Sequence, residues 1–305
     1  MRNVFVSIIN FNGRDNTFKC LDSIKKINAS NFKLNVVVID NGSKEKLNLQ
    51  PDYLGNIPLK VIVKEKNLGF TGGHNAGINY ALSKNADYVL VLNNDVVVDP
   101  NLIMELLKVL DKNEKYAIAS PKIYFAPGFE FHKDRYKEED KGRVLWYAGG
   151  IMDFRNVIAR HRGVDEVDKG QYQKREETDF ATGACFLIKR EILKKVGLFD
   201  DKYFLYYEDS DLSQRIKRKG YSIVYAPDAV VWHRNAASAG GSGSPLQDYY
   251  ISRNRLLFGL RYAPLKARSA LLRESFKLLL TGRDWQKRGV LDFYLRRFGK
   301  GSYSV

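Results

Sequence analysis

Four apolar, β-branched runs in the first hundred residues each stop at polar residues, and this constrains the fold more than any other feature. "VFVSIINFN" closes on Asn12, "LNVVVIDNGS" on Asp40 and an Asn-Gly turn, "LKVIVKEKN" on Asn67, and "ADYVLVLNND" on Asn93, Asn94 and Asp95. Such runs bounded by Asn, Asp and Gly read as strands. Helical spacing of Cys20, Leu21, Ile24 and Ile27, and the segment "GHNAGINYALSK", place helices between them. Strand, helix, strand, strand, helix, strand predicts a mostly parallel, Rossmann-like sheet covered by helices. Ligands of such sheets sit beyond the carboxyl ends of the strands. Asn12, Asp40, Asn67 and Asp95 all fall there.

The second half is less regular. "FHKDRYKEEDKG" (131–142) reads as an exposed, mobile excursion, and "WYAGGIMDF" resumes strand character. "ATGACFLIKREILKKVGLFD" predicts a strand running into a short helix that stops at Gly197. "DSDLSQRIKRKGYSIVYAP" predicts a helix closed by Gly220 and then a strand. After His233, "NAASAGGSGSP" reads as a flexible loop, followed by helices over 248–262 and 265–281.

Three motifs have chemical potential. "NLGFTGGHNAG" (67–77) is a glycine-rich entry to a helix, whose backbone N–H groups either face an anion or pack tightly. Its glycines fit neither the dinucleotide fingerprint nor the P-loop. Asn93-Asn94-Asp95 is by itself an ordinary strand-ending turn. Asp95 is also a hard oxygen donor of the kind that holds Mg²⁺ or Mn²⁺ on a diphosphate. His233, ending "VVWH", is either its second ligand or a structural hydrogen-bonder. "YFLYYEDSD" gathers Glu208, Asp209 and Asp211 at a helix start, where acidic residues also serve the helix dipole. The aromatic residues before them suit a pocket that raises a carboxyl pKa and prepares a general base.

In this order and spacing, "FNG", "VVVIDNGS", "NLGFTGGHNAG", "VLVLNNDVVVDP", "WYAGG", "TGACFLIKR", "VGLFDDKYFLYYEDSDLSQRIKRKGY", "VVWH" and "SPLQDYYISRNRLLF" resemble the inverting family-two glycosyltransferases of the GT-A fold. The likeness runs from Val4 to about Phe258 and points to the rhamnosyltransferase-like branch, which builds cell-surface glycans. It implies a nucleotide-sugar-binding half (1–115), an acceptor-binding half (116–235) and a helical C-terminal extension (236–305). It implies that Asp40 contacts the nucleoside. Asn12, Asn67, Gly69, Phe70, Gly73, Asn75, Asn93 and Asn94 complete the donor contacts. Asp95 and His233 are the implied ligands of Mg²⁺ or Mn²⁺, with Asn93 replacing the first aspartate of the family's D-x-D motif. Asp209 is the implied catalytic base beside Glu208, and the "WYAGG" and "TGAC" segments are the implied acceptor walls. The implied donor is dTDP-rhamnose or a UDP- or GDP-sugar, and the acceptor a glycan or lipid-linked glycan.

Charge separates the tail from the rest. Of a net +15, most lies after Asp248: from Arg253 onward 13 Lys and Arg stand against 3 Asp and Glu. Leu256, Leu257, Leu271, Leu272 and Leu278 interleave with Arg253, Arg255, Arg268 and Arg273. Such helices lie on an anionic leaflet, or turn their apolar face to the protein or a second subunit. On either reading, the chain up to Phe258 is expected to keep the donor site. Nucleic-acid binding is a poor account of a charge confined to the tail. A sugar nucleotidyltransferase calls for a basic glycine-rich first loop, which "NFNGRDN" lacks. With two cysteines, no apolar run of membrane-spanning length and no leader-like stretch in "MRNVFVSIINFNG", an intracellular protein is expected, at most peripheral to the inner membrane face.

Overall fold

The computed structural model describes residues 1–234 and 243–304. The loop expected after His233 therefore lies almost wholly outside the described residues. The elements are β1 (Arg2–Asn10), α1 (Arg14–Ile24), β2 (Phe32–Asn41), β3 (Leu59–Lys64), α2 (Gly69–Ser83), β4 (Tyr88–Asn93) and β5 (Val96–Val98). There follow α3 (Leu102–Leu110), β6 (Tyr116–Phe125), β7 (Leu145–Tyr147), β8 (Gly150–Asp153), β9 (Ile158–His161) and β10 (Glu176–Glu177). The chain continues with β11 (Cys185–Lys189), α4 (Arg190–Val196), α5 (Glu208–Arg218), β12 (Ser222–His233), α6 (Pro245–Tyr262), α7 (Leu265–Thr281) and α8 (Asp284–Tyr294).

The main sheet runs β10-β12-β6-β11-β4-β1-β2-β3, with β5 added to β12 and β7 to β6. β1, β2, β3 and β4 are mutually parallel, β11 reverses direction, and β6 and β12 are again parallel to each other. Period-2 side-chain alternation explains the layers. Val4, Val6, Ile8, Val36, Val38, Leu90 and Leu92 face α1 and α3. Phe5, Val89, Val91, Phe186 and Ile188 face α2, α4 and α5. Each such fully buried side chain contributes about 1.5–3 kcal/mol. The 131–142 excursion is largely exposed, with two single-turn 3₁₀ segments.

Strand direction positions the site. Asn10 is in register with Asp40, and Ile9 with Asn93, so the polar ends of β1, β2 and β4 lie side by side. Because β11 is antiparallel to both β4 and β6, β6 and β12 run with β4, and β12 ends at the same edge. β5 leaves the line of β4 to pair antiparallel with β12, opposing Val96 to His233. That detour brings Asp95 and His233, 138 residues apart, together.

The C-terminal helices are built into the domain. Leu256, Leu257, Phe258, Leu271 and Val290 pack with Met152, Val157 and Tyr203. A chain ending at Phe258 would lose Arg261 and Tyr262, which hold the buried Asp211. The apolar face of the tail thus packs largely on the protein, one of the two readings the sequence left open, and its Arg261 and Tyr262 reach α5. Not all of it faces inward: Phe276 (58%), Leu280 (78%), Leu291 (48%) and Leu295 (50%) remain exposed on α7 and α8.

Candidate active site

A polar network lines the strand ends. Thr17 Oγ1 donates to Asn10 Oδ1 (2.9 Å) and accepts from Asn94 Nδ2 (2.9 Å). Asn10 Nδ2 donates to Ser43 Oγ (3.1 Å), which also accepts from the amide of Asn12 (3.0 Å). Asn12 sits exposed on the rim at φ +53°, with Oδ1 accepting the Lys44 amide (2.9 Å). Asp40 is fully buried, and its two oxygens accept the amides of Ser43 and Leu47. Its carboxylate thereby shapes the 43–47 loop.

The 67–75 loop is a packing device. Asn41 Nδ2 donates to Asn67 Oδ1 (3.1 Å) and to the carbonyl of Gly69 (2.9 Å), while its Oδ1 accepts the Leu68 amide (3.1 Å). The amides of Phe70 and Thr71, the first free donors of α2, point at the carbonyl of Phe204 (2.8 and 3.3 Å). That carbonyl occupies the position an anion would take, so of the two readings of this loop the structure carries the packing one. Gly69 is needed for this contact: its φ is +72°, and a Cβ would sit 2.4 Å from the Phe204 oxygen. Gly73 packs against Ile9, and Asn75 is spent on the 199–201 turn, bonding the Phe199 backbone twice and Asp201 Oδ1. Asn75 is thus a structural residue. The Phe70 ring lies against Gly183, where a Cβ would come within 2.7 Å.

At the Asn93–Asp95 turn, His233 Nε2 and Asp95 Oδ1 are within hydrogen-bond distance, 3.1 Å apart. Both side chains are nearly buried, His233 Nδ1 has no partner, and Trp146 stands edge-on to the His233 ring at 4.5 Å. An octahedral cation with bonds of about 2.0–2.1 Å places neighbouring ligand atoms about 3 Å apart, so the pair fits a hard divalent ion. Among the described residues no cluster of three or more ligating side chains exists, so substrate oxygens must complete such a shell.

The carboxylates lie across one short segment from this turn. Gly183 N donates to Asp209 Oδ2 (3.0 Å), and the next residue, Ala184, accepts the Asn93 amide (2.9 Å). "TGAC" therefore joins Asp209 to the Asn93–Asp95 turn. Asp209 Oδ1 also accepts from Ser210 N (2.6 Å) and Ser210 Oγ (3.2 Å). Burial nonetheless raises its pKa above the ordinary aspartate value, the hydrogen bonds only partly opposing it. Glu208 is buried with Oε2 unpartnered, and burial together with the neighbouring Asp209 and Asp211 charges pushes its pKa well above the usual range.

Asp211 has a different role. Fully buried, it accepts from Arg215 Nε (2.8 Å), Arg261 Nη1 (3.0 Å), Tyr262 Oη (2.8 Å) and Tyr203 Oη (3.2 Å). It locks α5 to the end of α6. The backbone entering α5 is strained: Phe204, Tyr206 and Tyr207 have φ of +65°, +68° and +70°. Each left-handed non-glycine residue costs about 1–3 kcal/mol and persists only where its surroundings enforce it. The aromatic run reads in sequence as a pocket lining, and nothing in it signals this left-handed conformation. Sequence reasoning also missed Thr17 and Asn41, whose roles depend on partners remote in the chain.

Comparison with known proteins agrees with this geometry. Over 222 residues the chain is 26% identical to the low-salt glycan biosynthesis hexosyltransferase Agl10 of Haloferax volcanii, covering 72% of this chain and 66% of that protein. Over 154 residues it is 44% identical to the N-acetylglucosaminyl-diphospho-decaprenol L-rhamnosyltransferase of Mycobacterium tuberculosis, covering 50% and 49%. A dTDP-rhamnosyl transferase, RfbF of Shigella flexneri, is 24% identical over 277 residues, 86% of this chain and 82% of that one. The chain thus spans between half and two thirds of the first two relatives. Among solved structures, GalNAc-T7 with UDP, GalNAc and Mn²⁺ superposes with a TM-score of 0.58 at 17% identity, covering 97% of this chain and 57% of that one. The Pyrobaculum calidifontis mannosyltransferase PcManGT with GDP-Man and Mn²⁺ gives 0.55 at 15%, covering 100% and 76%. The fold is of the GT-A type. A model of "glycosyltransferase like family 2" matches residues 2–255, and the chain belongs to that family.

Proposed function

We propose that the protein is a metal-dependent inverting glycosyltransferase that moves a sugar, rhamnose from dTDP-rhamnose in the first instance, to a lipid-linked glycan. The observation that carries this reading is the Gly183–Ala184 junction, which ties Asp209 to the Asn93–Asp95 turn. The rhamnosyl donor and lipid-diphosphate acceptor are suggested by relatives whose names carry them.

Asp95 and His233 would hold the cation. A bound Mg²⁺ or Mn²⁺ supplies positive charge against the departing diphosphate. Asn12 on the rim and the 43–47 loop that Asp40 supports would seat the nucleoside. Phe70, lying against Gly183, faces the junction where sugar and acceptor meet. Asp209, its carboxylate fixed by Gly183 and Ser210, takes the proton of the acceptor hydroxyl. The resulting oxygen attacks the anomeric carbon opposite the leaving group, and one displacement inverts the configuration. A pKa lifted by burial above the ordinary aspartate value strengthens Asp209 as a base. Thermal stabilisation and hydrolysis with dTDP-, UDP- and GDP-sugars plus Mn²⁺ test this. A saturable, Mn²⁺-dependent response to one nucleotide class is expected, and silence across the panel contradicts it.

The exposed apolar residues of α7 and α8 favour a membrane surface as the second partner. Phe276, Leu280, Leu291 and Leu295 stand among the exposed Arg273, Lys277, Arg288, Arg296 and Arg297. Exposed apolar side chains interspersed with cations suit an anionic leaflet, each cation near the surface adding about 1 kcal/mol. No helix of the described residues is long and apolar enough to cross a membrane. Arg253, by contrast, is fully buried and takes no part in this surface.

A further inference from the structure

The strained segment that delivers Glu208 and Asp209 is held from the far side by two adjacent residues of α6. Asn254 is fully buried, and its Nδ2 lies 2.9, 2.7 and 2.9 Å from the carbonyls of Tyr203, Leu205 and Tyr206. Its Oδ1 accepts Arg253 Nε (3.0 Å), which fixes the amide orientation: carbonyls on one side, a guanidinium on the other. Arg253 is also fully buried, and Nη2 donates to the carbonyls of Tyr203 (2.9 Å) and Lys202 (3.2 Å). Its Nη1 reaches the Arg297 carbonyl (3.3 Å), and the rings of Tyr249 and Tyr250 flank it at 5.4 and 5.0 Å. A buried guanidinium that spends its donors on main-chain carbonyls and aromatic faces is an expensive way to fill a core. It is an effective way to fix a backbone that otherwise relaxes out of the left-handed region.

What the pair fixes is specific. Tyr203, Leu205 and Tyr206 bracket Phe204, whose carbonyl receives the first amides of α2. Tyr207 then starts α5, two residues before Asp209. Phe204 also stacks on Tyr250 of α6, with centroids 5.2 Å apart. One restraint thus sets the base on one side and the donor-side loop on the other.

We infer that Arg253 and Asn254 are positioning residues for the reaction: by clamping the carbonyls of 202–206 they hold Asp209 at its working distance from the donor site. The inference rests on Asp209 being the base. Neither residue touches substrate, so their loss moves the base without removing donor binding. A displacement of about 1 Å costs on the order of 10²-fold in rate.

The full-length chain carrying Asn254→Asp, which keeps the shape and removes the donors, is compared with Asn254→Leu, Asp209→Asn and the parent. Turnover is followed with Mn²⁺ and dTDP-rhamnose, or the nucleotide sugar that the donor panel selects. Both Asn254 variants are expected to lose about 10²-fold in kcat with KM within about threefold, a pattern that marks a transition-state defect. Exchange of the Phe70, Thr71 and Asp211 amides is expected to accelerate while that of β1 stays unchanged. Lost turnover in Asp209→Asn with parental kcat in both Asn254 variants overturns this inference alone, as does unchanged exchange at those amides. Full turnover in Asp209→Asn overturns the base assignment and the positioning role with it. If the Asn254 variants do not fold, Arg253→Lys, which keeps the charge and loses the fork, carries the same comparison: a lower kcat at parental KM supports the clamp, and a parental kcat refutes it.

Discussion

Asp211 and Asp209 are two residues apart on α5, and replacing each by asparagine separates structure from chemistry. Asp211 has no exposed surface and four donors around it, two of them guanidinium groups. In Asp211→Asn the charge goes, and an NH₂ turns toward donors that need an acceptor. Breaking a buried ion pair from one side costs about 3–5 kcal/mol. Here both arginines keep other partners: Arg215 the carbonyls of Val196 and Leu198, Arg261 the carboxylate of Asp200. The lower end, about 3 kcal/mol, is therefore expected. At about 2–4 °C per kcal/mol this lowers Tm by about 6–12 °C. Asp209→Asn removes a charge that burial already disfavours, so its Tm should equal or exceed that of the parent. Its turnover should fall on the order of 10²-fold or more. Thermal unfolding and donor turnover, measured on both variants, decide the matter. An Asp211→Asn protein with parental Tm and no activity, beside an active Asp209→Asn protein, reverses the two roles.

Three other outcomes follow from the same geometry. Burial raises the folded-state pKa of Glu208, so its contribution to stability is present at low pH and lost as pH rises through that raised value. Glu208→Gln should therefore gain more Tm over the parent at pH 8 than at pH 5, and an equal gain at both contradicts the buried, uncompensated carboxyl. Gly69→Ala, which meets the Phe204 carbonyl at 2.4 Å, should lower Tm further than Gly55→Ala, which has φ +62° and open space. The Gly55 change should cost only the left-handed penalty of about 1–2 kcal/mol, and equal losses would show that the Phe204 contact is not held in solution. Flotation with phosphatidylglycerol vesicles should carry the parent at low salt and leave Phe276→Glu/Leu280→Glu unbound. A parent that does not float, or that forms dimers through this face, removes the membrane reading.

The sequence was most informative where chemistry is local. Strand-ending polar residues marked the sheet's carboxyl edge because period-2 apolar runs and Asn-Gly turns are short-range signals. The β5 detour was not legible, since nothing in "VVVDP" names β12 as its partner, yet it joins Asp95 to His233. The family resemblance implies Asp40 and Asn75 as donor contacts, and it carries no sign of the backbone groups that both bond once the chain is folded. The tail misled for a related reason. Arg253 counted as one more cation among thirteen, whereas its place on the inward face of α6 makes it a buried anchor. Composition records how many charges a segment has, and packing decides which of them meet water.

On the proposed function, Asp95 and His233 form the protein's share of a metal-bound nucleotide-sugar site. Calorimetric titration of dTDP with Mn²⁺, and again with EDTA, tests it directly on the parent and on Asp95→Ala and Asp209→Asn. The account predicts Mn²⁺-dependent binding in the parent and Asp209→Asn, and in Asp95→Ala only the weak binding seen with EDTA. Equal, Mn²⁺-dependent binding in Asp95→Ala and the parent would contradict it.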